Sequence, residues 1–210
     1  MEYRKQVDKS HYEGKAYSSL ERWTSYWHQL QLVQSTQPSR VIEVGVGSGV
    51  VARELRASGV EIVTVDIAED LHPDVVGSIT EIPFENETFD TVLAAEILEH
   101  IQYDDVLKAL SELARVSRGA VVISIPHPGY VFRILCKLPL FPYSEFFAKL
   151  PFFWKTHVFN GEHYWELGKK GYSLERFTRL ALEAGLFCEQ SVVYGNDPAH
   201  RFFVFSKVHT

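Results

Sequence analysis

Two short stretches carry residue types that do chemistry when the chain brings them together. The first is Glu96-Ile97-Leu98-Glu99-His100, two carboxylates and an imidazole at i, i+3 and i+4. On a helix that spacing sets all three side chains on one face. There they can accept a proton from a hydroxyl nucleophile or, joined by a histidine from elsewhere, ligate a divalent ion. The second is VIEVGVGSGV at 41–50, in which Glu43 stands two residues ahead of Gly45, Gly47 and Gly49. Beyond these, His127 in ISIPHPG is a second candidate base. His163, Tyr164 and Trp165, in GEHYWELGKKGY, are candidates to bind substrate hydroxyls or to anchor a loop.

Spacing and charge narrow what the glycine turn can hold. A dinucleotide fingerprint needs G-x-G-x-x-G, its third glycine lying where helix and strand approach closely. Here the third glycine comes one residue early and Val50 fills the expected slot. A carboxylate at Glu43 repels a diphosphate resting on a helix N-terminus, and it suits a cationic ligand. Both points disfavour a nicotinamide-dependent oxidoreductase, which stays as an alternative beside a non-catalytic cofactor-binding protein.

The elements around these residues alternate. RVIEV reads as a buried strand, VVARELRASG as a helix closed by Gly59, and EIVTVD as a second strand. A weaker strand is expected at Asp74 to Gly77, then strands at FDTVLAA and AVVISI flanking a helix from Tyr103 to Val116. Such alternation implies a parallel sheet covered on both faces. SLERFTRLALEAG reads as a helix capped by Ser173, and LFCEQSVVY with RFFVFSKV as an antiparallel pair at the sheet edge. Ahead of the alternation, helical spacing of Leu20, Trp23, Tyr26, Trp27 and Leu30 predicts an amphipathic helix over 16–36.

Residues 126–171 break the pattern. Twelve of the 36 residues from Tyr130 to Trp165 are aromatic, against 13% of the whole chain, which points to a lid over an apolar substrate pocket. Some of these rings could also dip into a membrane interface. Four charged residues and three prolines interrupt the most apolar window, so no transmembrane helix is expected. A net charge of -6 disfavours nucleic acid as a partner. Cys136 and Cys188 fit neither a metal nor a disulfide framework, and the N-terminal residues lack a secretory apolar core, so a cytoplasmic location is expected.

The sequence Glu-x-Gly-x-Gly-x-Gly at 43–49, followed by an acid closing the second strand at Asp66, resembles the cofactor motif of class I S-adenosylmethionine-dependent methyltransferases of the type 11-like kind. That cofactor bears a sulfonium and an amino group and no phosphate, in keeping with Glu43. The segments DVVGSITEIPFENETFDTVLAAEILEHI, LARVSRGAVVISIP and GYSLERFTRLALEAGL are similar to later parts of the family. The resemblance implies a single domain over 1–210. Its fold would be an α/β, Rossmann-like, doubly wound and mostly parallel seven-stranded sheet with an antiparallel edge strand and an aromatic-rich helical lid insertion.

It also implies roles. S-adenosylmethionine would lie with its aminoacyl end on Gly45, Gly47 and Gly49, its ribose on Asp66, and its adenine between Ile67 and the Ser78-Ile79 edge. Ala95 and Glu96 would close the methionine side. Ser78 stands where the family often has an acid. Glu-x-x-Glu-His is also similar to a motif of ubiquinone-pathway and small-RNA 2′-O-methyltransferases, some of which hold a metal; none is expected here, and His100 and His127 are the expected bases. The implied acceptor is a small molecule, methylated at oxygen.

Overall fold

The structure is a computed structural model that describes Ser10, residues 19–140, Pro142 and residues 144–208. Helix α1 spans Leu20–Ser35 and starts at Ser19, whose hydroxyl accepts from the amide of Arg22. Residues 16–18 of the expected helix lie outside the described residues. The packed face of α1 takes in only Tyr26 and, in part, Leu30 of the expected stripe. Trp23 and Trp27 are exposed, whereas Tyr26, His28, Gln29, Leu32 and Val33 are buried. The polar members of that face find partners: His28 stacks on Tyr194 at 3.6 Å and bonds Asn196 at 2.8 Å.

Strand and helix then alternate as expected: β1 (Arg40–Val44), α2 (Val50–Ala57), β2 (Glu61–Asp66), the two-residue β3 (Val75–Val76), β4 (Phe89–Ala95), α3 (Val106–Val116) and β5 (Ser117–Pro126). A 3₁₀ turn at Tyr103–Asp105 opens the segment expected to start α3. After an insertion, helix α4 (Leu174–Glu183) is capped by Ser173 and leads to β8 (Leu186–Tyr194) and β9 (Asp197–Lys207).

The sheet order is β3-β2-β1-β4-β5-β9-β8. Strands β1 to β5 pair in parallel, and β9 runs antiparallel to both β5 and β8. The reversed strand is thus the inner member of the edge pair. Alternation along the strands divides the core. Ile42, Val92, Val121 and Ile123 pack on α3 and α4, while Val41, Leu93 and Val122 pack with residues of α1 and α2. Successive side chains point to opposite faces, and near-continuous apolar runs are what a sheet covered on both sides requires.

The insertion corrects one expectation. It is not helical: β6 (Gly129–Cys136) and β7 (Ser144–Pro151) form a separate antiparallel ribbon in register from Gly129 opposite Pro151 to Cys136 opposite Ser144. The reason lies in composition, since Val131, Phe132, Ile134, Phe146 and Phe147 favour a pleated strand, and the prolines near 139–142 mark a reversal rather than a helix interior.

Candidate active site

The carboxyl ends of β1, β2, β4 and β5 open on one side of the sheet, where ligands of open α/β sheets bind. A cavity of about 870 Å³ lies there. Its floor is the glycine turn. Gly45 has φ +89°, and a Cβ added to it would stand 2.8 Å from Ile97 Cδ1, so both conformation and space demand glycine. Gly47 lines the cavity with Val46 and Ser48. Gly49 does not; at φ +66° it is the residue that begins α2.

Asp66 holds this turn in place. Its carboxylate accepts from the amides of Val46 (2.9 Å) and Ala68 (2.8 Å), stapling the glycine loop to the end of β2. Burial still raises its pKa above the ordinary value. Glu43, on β1 beneath the turn, is only 4% exposed, and one carboxylate oxygen has no partner. Burial pushes its pKa to about 8; the nearby Asp66 adds to the rise, while the Ala52 amide and Arg56 oppose it. A buried carboxyl with an orphaned oxygen facing a cavity fits a cationic group in that cavity.

The remaining residues expected to cradle a cofactor divide cleanly. Ile67, Ile79, Ala95 and Glu96 line the cavity. Ser78 does too, but its hydroxyl is engaged with Thr80, at 2.9 Å to Oγ1 and 3.2 Å from the amide. From the opposite side α1 contributes Arg22, Tyr26 and Gln29, and the Tyr26 hydroxyl bonds Ser48 Oγ at 2.8 Å, so the helix is fastened across the glycine loop.

At the other end of the cavity the Glu96-x-x-Glu99-His100 set parts company. The backbone is not α-helical there: Glu96 sits at φ +52° and only Leu98–His100 form a 3₁₀ turn. Glu96 therefore turns to His200, its Oε2 lying 3.2 Å from Nε2, and His200 Nδ1 meets Asp197 Oδ1 at 2.7 Å. Burial works against charge on His200, but the Glu96 and Asp197 carboxylates outweigh it and raise the pKa. Glu96 Oε1 is left without a partner.

Glu99 and His100 instead join His163. One potential ligand atom from each lies within 4.8 Å of the others. His100 Nδ1 donates to the carbonyl of Glu162 at 3.1 Å, which leaves Nε2 as the acceptor nitrogen. His163 is oriented by Glu166, Nδ1 to Oε1 at 3.1 Å, and Glu166 is also paired with Lys169 at 2.7 Å. Although burial opposes it, these two partners hold Glu166 ionised, with a pKa of about 2. Burial, with the charge of Glu96 close by, keeps the 1%-exposed Glu99 well above the usual carboxylate range.

His127 lines the cavity at the end of β5, but burial, with Lys149 and Arg201 nearby, drives its pKa down to about 3. Two of the expected substrate residues lie elsewhere. Trp165 is fully buried, donates from its indole to the Leu98 carbonyl at 3.1 Å and packs on Tyr103 and Phe177. Tyr164 stacks on Phe159 at 4.6 Å and packs against the core. Neither lines the cavity: the ring chain they belong to anchors the insertion, and only His163 of the three faces the site. Sequence reasoning missed Asp197 and His200, which read as a plain turn in NDPAH; their i, i+3 spacing was the available signal. It also missed Arg22 and Tyr26, whose place depends on how α1 crosses the sheet.

Residues 42–123 match the protein family described as Methyltransferase domain. No protein of curated function matches the sequence. The fold is similar to that of Burkholderia thailandensis 1,6-didemethyltoxoflavin-N1-methyltransferase with bound 1,6-didemethyltoxoflavin and S-adenosylhomocysteine, at 15% identity and a TM-score of 0.64, covering 96% of this chain and 87% of that one. It is also similar to the N-methyltransferase NodS from Bradyrhizobium japonicum in complex with S-adenosylhomocysteine, at 12% identity, 90% and 88% coverage and a TM-score of 0.60. Magnesium protoporphyrin IX methyltransferase from Synechocystis gives 13%, 86% and 83%, and 0.54.

Proposed function

We propose that this chain is an S-adenosylmethionine-dependent class I methyltransferase, a reading supported by its fold and by the match over residues 42–123, that its acceptor is a small molecule and that the methyl goes to oxygen. When bound, the cofactor supplies a methyl group already activated on a sulfonium. Asp66 keeps lone pairs beyond its two amide bonds that would accept from ribose hydroxyls, Ile67 and Ile79 would pack on the adenine, and Ser78 would stand at its edge. Gly45 and Gly47 would admit the aminoacyl end, with the orphaned oxygen of Glu43 and the side chain of Glu96 on that side of the cavity.

What remains for the protein is to align a nucleophile, keep water out and accept its proton. The observation that carries an oxygen acceptor is the pair His100 and His163, with ring centroids 5.2 Å apart, each holding Nδ1 in a hydrogen bond. A hydroxyl must lose its proton as the carbon–oxygen bond forms. His100 Nε2 takes that proton, and His163, polarised by ionised Glu166, stands beside it. His127 is neutral at working pH and, with a pKa near 3, too weak a base for the task; its part is to line the acceptor pocket.

Titration with S-adenosylhomocysteine by calorimetry tests the cofactor assignment: saturable binding, strongly weakened by Asp66→Ala, is expected, and no binding by the wild type defeats the reading. A radiolabelled-methyl screen over hydroxyl and amine acceptors tests the rest. Transfer only to amines removes the oxygen assignment, and binding without transfer to any acceptor leaves a non-catalytic cofactor-binding protein.

A further inference from the structure

The β6–β7 ribbon has two unlike faces. Its register sets Tyr130, Phe132, Ile134 and Cys136 on one side with Phe146, Ala148 and Leu150. The opposite side carries Arg133, Glu145 and Lys149 alongside Val131, Leu135 and Phe147. The charged members of that side meet the body: Arg133 and Glu145 pair at 2.8 Å against Gly195 in the β8–β9 turn, and Lys149 bonds the carbonyls of His127 and Pro198. The apolar side faces away. Tyr130, Phe132, Ile134, Phe146 and Leu150 are each 50–61% exposed, and Phe153 and Trp154 extend the patch at the ribbon's root. A contiguous apolar face of this kind marks an interaction surface, and a two-stranded ribbon gains little stability alone.

Charge decides among occupants. Residues 129–159 hold four of the chain's 21 basic residues and one of its 27 acidic ones, so this segment is net +3 while the remainder is -9. Two copies meeting through this face would bring like charge together. An anionic surface would attract the ribbon and repel the rest of the molecule. The rim suits a lipid interface as well: Trp154 and Tyr130 are amphipathic rings of the kind enriched at headgroup depth, and the Lys155 ammonium sits 3.8 Å over the Phe152 ring. No helix among the described residues is long and apolar enough to cross a membrane.

We infer that the outward face of the β6–β7 ribbon docks on an anionic lipid bilayer, with its aromatic and aliphatic side chains entering the interface and the exposed Lys137 and Lys155 meeting the headgroups. The consequence for the site is geometric. Gly129, Val131 and Phe152, at the ribbon's root, line the cavity. A bilayer on this face therefore lies beside the mouth of the acceptor pocket, where an amphiphilic acceptor can enter without crossing water.

Vesicle flotation tests this independently of any methyl transfer. The intact protein is expected to float with vesicles of equal parts phosphatidylglycerol and phosphatidylcholine, to stay behind with phosphatidylcholine alone, and to lose binding as salt is added. Phe132→Ser with Phe146→Ser, and separately Lys137→Glu with Lys155→Glu, should each weaken flotation about tenfold or more. S-adenosylhomocysteine binding is expected to be unchanged, and serves as the check on folding; if the serine pair does not fold, the charge-reversal pair decides. Absence of flotation by the wild type overturns the inference, as does equal flotation on neutral vesicles. A dimer in sedimentation that the serine pair dissolves, without vesicle binding, assigns the face to a second copy instead.

Discussion

Replacing Glu43 by glutamine should make the protein's stability less dependent on pH, by an amount that follows from burial. The carboxyl titrates near 4.5 when unfolded and near 8 in the folded protein. Between those values the folded state keeps a proton that the unfolded chain has released, so wild-type stability falls as pH rises through the window and levels off above 8. At ~1.4 kcal/mol per pH unit, the advantage of Glu43→Gln over wild type grows by about 4 kcal/mol between pH 5 and pH 9, and about 2.5 kcal/mol of it is present by pH 7. Relief of the neighbouring Asp66 carboxylate adds in the same direction. Any constant offset from placing an amide there cancels between the two pH values. The assay is urea denaturation of both proteins at pH 5, 7 and 9. Calorimetric binding of S-adenosylhomocysteine in buffers of different ionisation enthalpy accompanies it, because a cationic amino group beside Glu43 should drive its proton off in the wild type and not in the variant. A stability difference that does not change with pH, or identical proton release by both proteins, refutes the argument that this carboxyl is held protonated for a cationic ligand.

Three further outcomes follow from the geometry. Gly45→Ala places a Cβ 2.8 Å from Ile97 in a left-handed backbone and should cost about 1–3 kcal/mol in denaturant melts while weakening cofactor binding. Trp165→Ala should destabilise by about 3–5 kcal/mol, since the ring is fully buried; Trp165→Phe retains most of the packing and should leave the acceptor KM unchanged, whereas a changed KM would return the ring to the substrate site. Once an acceptor is found, His100→Asn should lower kcat by roughly 10²–10⁴ and abolish the acid limb of the pH–rate profile, as expected of a general base, while a chelator leaves the wild-type rate unchanged. A chelator-induced loss restored by zinc would instead make Glu99, His100 and His163 metal ligands.

The alternation of RVIEV, VVARELRA and EIVTVD, and the glycines between them, carried the parallel sheet and the glycine-turn end of the cavity. Both rest on local facts: period, β-branching, and a turn in which only glycine fits. The ribbon was less legible, because aromatic richness is shared by strands and amphipathic helices and its register is settled only by pairing.

The cavity as a whole shows the division most clearly. Sequence alone placed Glu43, the glycine turn and Asp66 together, since one βαβ unit brings them within reach whatever the rest of the chain does. It also supplied Glu99 and His100 as adjacent chemistry. What it could not supply was their partners. His163 arrives from the far end of the insertion, and Asp197 with His200 from the turn into the reversed strand. The left-handed backbone at Glu96 splits a motif that helical spacing would have kept on one face. Those positions depend on long-range packing of strands and buried rings, and long-range packing is the one thing that spacing along a chain does not encode.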